Sequence, residues 1–364
     1  MLRRSQMEQQ TTFRPARILF IAFFVLIAAA LWRHARNSRM PQMSAPPIAA
    51  PSSTSGECKT TVGYRVLEIE NRTVAVWYPT TSPAAPYNYS SRFSSSLAKD
   101  APVTKACGQP APLVVFSHGY TGCGLQSVSF TEELARNGYI VAAPDHADAA
   151  ICHIAPPARE AKSAFPSQPK LFDPSAWNET SRADRREDIE AVIDYPLKDN
   201  EFASAIDPQK IGLAGHSLGG YTVVGLAGGW PGWLDPRVRA VLAMSPYVMP
   251  FQSKGTLANV HVPLMYQGGT LDVGITPFLQ GPKGAYAAAN PPAYFVEFRG
   301  ATHLAWTNCG DERTTESCLA QVPNARLIAG YGIAFFNRHL KGMQEPVLDR
   351  NSAELADYDF RLSR

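Results

Sequence analysis

No two cysteines in the chain stand in a Cys-x-x-Cys pair, so the common zinc-binding patterns are excluded and no metal is expected. Charge of one sign is scarce as well, with 34 basic residues against 31 acidic ones. The small excess misleads: the first 40 residues carry seven arginines and a single acid. That local excess of six, set against +3 overall, leaves the remainder at −3. A body of that sign offers no basic footprint, and no nucleic-acid partner is expected. The apolar run Ile18–Trp32 is short for a membrane span and long for a signal core. Two readings of it stay open. Ala28-Ala29-Ala30 offers a small-residue cleavage site, as in a secretory signal, whereas the basic leader and the arginines that follow suit an uncleaved N-terminal membrane anchor. Either one exports the body of the chain.

What is present points to one large globular core: 364 residues, 45% hydrophobic and 18% charged. Six cysteines fit an oxidising compartment and allow three bridges, with Cys309–Cys318 the best local pairing. The divisions expected are a basic leader over 1–39, a Pro/Ala/Ser-rich tether over 40–56 that cannot bury a core, a main domain over 57–345, and a charged tail over 346–364.

Within the main domain, β-rich runs flank Glu70-Asn71-Arg72 as an opening hairpin, and a loop rich in Ser, Pro and Ala is expected to follow to about Ala111. Pro112–Ser117 and Tyr139–Ala143 are continuous apolar runs of the kind buried on both faces, separated by a helix around Phe130 and Leu134 that Asn137-Gly138 closes. Strand, helix and strand in that order make the unit of a parallel sheet. Residues 145–180 break the rhythm and suggest a lid or substrate wall. Ser181 is expected to cap a helix bearing Ile189, Val192 and Ile193. Further strands follow at Val238–Ala243, Val262–Gln267 and Tyr294–Phe298, and a helix over 323–341 ends at Gly342.

The chain is organised around Lys210–Gly220, an apolar run that breaks into Gly215-His216-Ser217-Leu218-Gly219 and continues with helix-compatible residues. Strand, tight turn and helix with a serine at the apex is the G-x-S-x-G arrangement, and the glycines let the backbone turn so sharply. A serine needs a base, and the base needs a group to orient it. In a parallel sheet both should lie in loops after strand carboxyl ends. That rule selects His303 in Gly300-Ala301-Thr302-His303-Leu304 and Asp272 in Gly268-Gly269-Thr270-Leu271-Asp272, with Asp311 and Asp235 as rival acids. The order Ser217, Asp272, His303 is that of an α/β-hydrolase, a mostly parallel sheet with helices on both faces. The oxyanion donors expected are the N–H of Leu218 and that of Tyr120, in the turn after the 112–117 strand. His216 reads as structural, and His118 as a brace for the oxyanion loop. Asp145, His146, Asp148 and His153 read as hydrogen bonding at a strand end rather than as a metal site.

The segments Phe116–Gly119, Asp207–Tyr221 and Asp235–Val241 resemble the dienelactone-hydrolase-like and platelet-activating-factor-acetylhydrolase-like branch of the α/β-hydrolases. The Gly119-Tyr120-Thr121 loop and the segments of Asp272 and His303 are also similar to cutinase-like polyester hydrolases. The resemblance covers about residues 60–345. It implies a serine ester hydrolase that uses no cofactor and acts on small-molecule, lipid or polyester esters, with catalytic roles at Ser217, Asp272 and His303 and oxyanion roles at Tyr120 and Leu218. It also puts a substrate-stacking aromatic at Tyr247. Dienelactone hydrolases proper use a cysteine where this chain has Ser217. The alternatives are a catalytically silent hydrolase fold used for binding, and an acyltransferase or peptidase with the same machinery.

Overall fold

The computed structural model describes residues 60–362 apart from 91–92, 106–107, 151–169, 172 and 310–313. The leader, the Ile18–Trp32 run and the tether therefore lie outside the described residues, as do most of the lid segment, His153 and Asp311. No helix among the described residues is long and apolar enough to cross a membrane.

Among the described residues eleven strands make one sheet: β1 Thr61–Ile69, β2 Arg72–Thr80, β3 Ala85–Asn88, β4 Ser94–Lys99, β5 Ala111–Ser117, β6 Ile140–Pro144, β7 Ile206–His216, β8 Val238–Met244, β9 Leu264–Gly269, β10 Ala293–Phe298 and β11 Leu355–Arg361. Their spatial order is β11-β10-β9-β8-β7-β5-β6-β2-β1-β4-β3. From β6 to β10 every pairing is parallel, so the carboxyl ends of six strands share one edge. The helices that matter for the site, each of seven residues or more, are α1 Val128–Arg136, α2 Ala183–Lys198, α3 Leu218–Val224, α4 Thr315–Gln321 and α5 Pro323–Lys341.

The central strands are apolar along their whole length because both faces are covered. β5 and β6 are buried at every residue. Leu113, Val115, Ile211 and Leu213 pack on one side with Ile189, Val192 and Ile193 of α2. Val114, Phe116, Ala214 and Leu242 pack on the other with Phe130 of α1 and Phe336 of α5. The fold is that of an α/β-hydrolase, as the strand, helix and strand rhythm requires.

Three local expectations are corrected. Ser181 does not cap α2: the helix starts at Ala183 behind Arg182, which is left-handed at φ 61°, and Ser181 Oγ instead accepts the Asn178 N–H at 3.1 Å. The Ser-rich segment before Ala111, expected as loop, contains β3 and β4, and β4 pairs parallel with β1 through Gly63–Ala98 and Tyr64–Lys99. Residues 346–364 contain β11, antiparallel to β10, so the sheet edge beside the last parallel strand is covered by the chain's own end. Elsewhere the pattern gave the elements closely. The hairpin turns at Glu70 and Asn71, both with positive φ, and α5 stops at Gly342 with φ 68°.

Candidate active site

Ser217 stands between β7 and α3 at φ 55°, ψ −115°, outside the regions a serine prefers. The surroundings impose that strain. A side chain at Gly215 would run into the carbonyl of Gly219, and one at Gly219 into the carbonyl of Ser117. With both glycines in place the helix can start immediately behind the serine, and backbone bonds hold the apex: Ser217 N–H donates to Met244 O at 3.0 Å, and Tyr247 N–H to Ser217 O at 2.9 Å.

Asp272 and His303 come to the same edge from the loops after β9 and β10. The loops are tied to each other, with Leu271 N–H on Ala301 O at 3.0 Å and Gly300 N–H on Thr270 Oγ1 at 2.8 Å. His303 Nε2 lies 3.0 Å from Ser217 Oγ, and its Nδ1 lies 3.2 Å from Oδ2 of the buried Asp272. The three side chains selected from strand ends therefore meet. Asp235, a rival acid, lies at the amino end of β8, away from this edge, and is engaged by Arg237 at 2.7 Å.

A fourth group, missed in the sequence, joins them. Ser245 follows β8 at φ 43°; its hydroxyl donates to Asp272 Oδ2 and lies 2.9 Å from His303 Nδ1. The strand-end rule that selected Asp272 and His303 also covers Ser245, but Ser-Pro after a strand reads as an ordinary turn.

The turn expected to supply an oxyanion donor is Gly119–Gly122, closed by Gly122 N–H on Gly119 O at 3.0 Å with Thr121 left-handed at φ 58°. Closing a turn between its first and fourth residues leaves the N–H groups of Tyr120 and Thr121 outside its own bond. Leu218 opens α3, so its N–H has no acceptor within the helix. The ring of Tyr120 is half exposed, and the Arg182 guanidinium lies 5.2 Å from its centroid.

Beneath the turn is a fully buried polar layer. His118 Nδ1 donates to Gly119 O at 2.7 Å and its Nε2 accepts from His146 N–H at 3.0 Å. His146 in turn spans Ser117 Oγ at 2.8 Å and Asp188 Oδ2 at 2.9 Å. Arg185 donates to the carbonyls of His118 and Gly119 and pairs with both oxygens of Asp148 at 2.7 and 2.9 Å. Burial is the largest single influence and would raise the Asp148 carboxyl, but Arg185, His118, His146 and Arg182 together outweigh it and hold the group at about 2. Asp145 accepts the Gly124 N–H at 2.7 Å. This acid and histidine cluster thus spends its polar atoms on protein partners, and His118 braces the turn.

Tyr247 is not presented as an open platform. Its ring is buried against Trp177 and Tyr221, at 5.1 and 6.5 Å between centroids, and its hydroxyl donates to Leu171 O. Its backbone, on Ser217 O, is what touches the elbow. Near the site Cys309 and Cys318 are bridged, with Cα atoms 5.7 Å apart, and Cys123 is also disulfide-bonded.

A sheet with this order, an elbow serine and an acid and histidine after the next strands make up the α/β-hydrolase fold. Comparison with known proteins narrows the neighbourhood. The family model described as platelet-activating factor acetylhydrolase, isoform II, matches residues 92–187. The platelet-activating factor acetylhydrolase of Cavia porcellus is 28% identical over 164 residues, 39% of this chain and only 36% of its own length. Cutinase 2 of Thermobifida cellulosilytica is 24% identical over 229 residues, covering 62% of this chain and 67% of the cutinase. Among solved structures, a ferulic acid esterase from Streptomyces cinnamoneus superposes with a TM-score of 0.58 at 20% identity, over 86% of this chain and 98% of its own.

Proposed function

We propose that the protein is a serine hydrolase of carboxylic esters. His303 Nε2 takes the Ser217 hydroxyl proton as Oγ bonds to the ester carbonyl carbon, and Asp272 holds the imidazole in the tautomer that leaves Nε2 free. The N–H groups of Tyr120 and Leu218 receive the oxyanion. Collapse breaks the bond to the alcohol oxygen, which leaves with the proton from His303, and an acyl-Ser217 remains. Water then gives a proton to His303 and its oxygen to the acyl carbon; the acid departs and Ser217 recovers its proton.

The observation that carries this reading is the continuous contact from Ser217 Oγ through the imidazole of His303 to Asp272, at 3.0 and 3.2 Å. The similarity to an acetylhydrolase, a cutinase and a ferulic acid esterase supports ester rather than amide substrates. Export, by cleaved signal or membrane anchor, is the reading favoured by the basic leader and apolar run together with the Cys309–Cys318 bridge.

The test is hydrolysis of p-nitrophenyl acetate and covalent labelling by a fluorophosphonate. The wild-type protein should do both, and Ser217→Ala neither, at an unchanged melting temperature. Labelling that persists in Ser217→Ala moves the nucleophile elsewhere. A folded wild-type protein that neither labels nor hydrolyses is a silent fold used for binding, and faster transfer to an added alcohol than to water makes the protein an acyltransferase.

A further inference from the structure

Gln126 follows the oxyanion turn on the way into α1, and His216 is the last residue of β7, next to the nucleophile. The triad needs neither. Gln126 Oε1 accepts the Gly119 N–H at 2.9 Å. A backbone N–H can only donate, so this contact fixes which end of the amide is oxygen and turns the NH2 toward His216 Nδ1, 2.9 Å away. An amide NH2 likewise can only donate, so Nδ1 of His216 is bare and the ring proton sits on Nε2. That nitrogen lies 2.9 Å from the backbone carbonyl of His303. From Gly119 to His303 every donor therefore meets an acceptor, in one direction and with no alternative polarity.

We infer that Gln126 and His216 are positioning residues: together they form a hydrogen-bonded bridge that sets the oxyanion turn at a fixed distance from the loop carrying the general base. The inference rests on the serine-hydrolase reading of the site. The bridge joins the two halves of the machinery that approach Ser217 from opposite sides, the N–H donors of the turn and the imidazole of His303. Electrostatic stabilisation of an oxyanion depends on donors already in place, and small misplacements are costly.

The setting keeps the bridge in one state. His216 is buried, stacked on Trp306 at 6.2 Å and 19°, with its ring 4.9 Å from that of His303. The titratable groups facing it are His303 and Asp272; burial and the neighbouring His303 push its pKa down to about 3, so it stays neutral. The same two loops are also pinned outside the bridge, with the Asn308 N–H donating to Gln126 O at 2.8 Å and the Ser127 hydroxyl to Trp306 O at 2.6 Å. Loss of the side-chain bridge should therefore shift the turn without unfolding the loops.

The experiment compares wild type, Gln126→Leu, Gln126→Glu and Ser217→Ala on p-nitrophenyl acetate across pH. Gln126→Leu should lower kcat about ten-fold with KM within about two-fold, the signature of an interaction made in the transition state. Gln126→Glu can still accept from Gly119, but its second oxygen faces the bare Nδ1 and the contact needs a proton between them. That proton is lost as pH rises, so this variant should show a descending alkaline limb that the wild type lacks. A Gln126→Leu variant with wild-type kcat, or a loss that merely follows a lowered melting temperature, overturns the bridge. Superimposable pH profiles for Gln126→Glu and wild type also overturn it, and they do so even if Gln126→Leu fails to fold. An inactive wild-type protein, or an active Ser217→Ala, overturns the hydrolase reading instead, so the two failures are distinguishable.

Discussion

Ser245 holds an uncommon backbone conformation with its hydroxyl between the acid and the base, and both facts have one cause. The chain must reverse after β8 to pass beneath the elbow, and Ser245 N–H is tied to Gln267 O at 2.8 Å while doing so. The buried carboxylate of Asp272 accepts from the hydroxyl and from His303 Nδ1, so the proton on Nδ1 is shared between two oxygens. Hydrogen bonds to charged groups are worth about 1.5–3 kcal/mol, and each 1.4 kcal/mol is about ten-fold in rate. Ser245→Ala should accordingly lower kcat by about 10- to 100-fold while fluorophosphonate labelling of Ser217 remains detectable. Steady-state kinetics beside a labelling time course checks this, and unchanged kcat would show that Asp272 alone orients the base. The sequence made Ser217, Asp272 and His303 legible because each follows an apolar strand in a fixed order. Ser245 and Gln126 were not legible because their partners come from other loops, and neither residue type is unusual in a turn. Tyr247 came from a resemblance, which carries residue type, whereas the cover of Trp177 and Tyr221 over its ring could not be read from the sequence.

At the scale of elements, strands buried on both faces announced themselves and strands with one wet side did not. β11 reads Leu-Ala-Asp-Tyr-Asp-Phe-Arg, in which Leu355 and Tyr358 are buried on either side of a register shift while Asp357 and Asp359 face out, and its charge made it resemble a solvated tail. Charges on an outermost strand are an expected way to block edge-to-edge pairing. β3 and β4 hid for another reason, since Ser-rich segments lack β-propensity and are strands here through pairing and the packing of Tyr87, Tyr89 and Leu97. β11 also closes the last site-bearing strand: Tyr294 of β10 stacks on Phe360 at 6.5 Å, and Arg299 donates to Leu355 O at 2.8 Å just before the His303 loop. Deleting residues 351–364 should lower the melting temperature by more than about 5 °C and promote aggregation through the bared edge of β10. Differential scanning calorimetry with light scattering reads both, and a truncated chain as stable and monodisperse as the full one would make β11 an ornament of the sheet.

Across the whole molecule, pH acts through imidazoles that the fold encloses. Burial pushes His118 well below the ordinary histidine range, helped by His146 and Arg185, and holds His216 at about 3 beside His303. His339 is held at about 4 by burial and the charge of Arg338. In the unfolded chain these groups titrate near pH 6.5. Between that value and their folded values the unfolded state binds protons that the folded state refuses, so stability falls as pH falls. Asp148 adds a loss of the same sign at lower pH: its ion pair contributes fully above about 3.8 and is lost as pH drops through about 2. Glu132, Glu133, Glu190 and Glu297 oppose them, because burial raises each carboxyl and protonation then favours the folded chain. Unfolded histidines take up their protons at about pH 6.5, whereas unfolded glutamates do so at about 4.3, below the range from pH 7.5 to 5, so the histidines set a net fall there. The urea midpoint should therefore be lower at pH 5 than at pH 7.5 with an unchanged slope, and the difference should shrink in His339→Phe but not in His261→Gln, whose side chain is exposed. A midpoint that stays level over that range would mean that the enclosed rings take up protons while folded. His216 would then be charged, its Nδ1 would no longer accept from Gln126, and the link between the oxyanion turn and the loop of His303 would be broken below neutral pH.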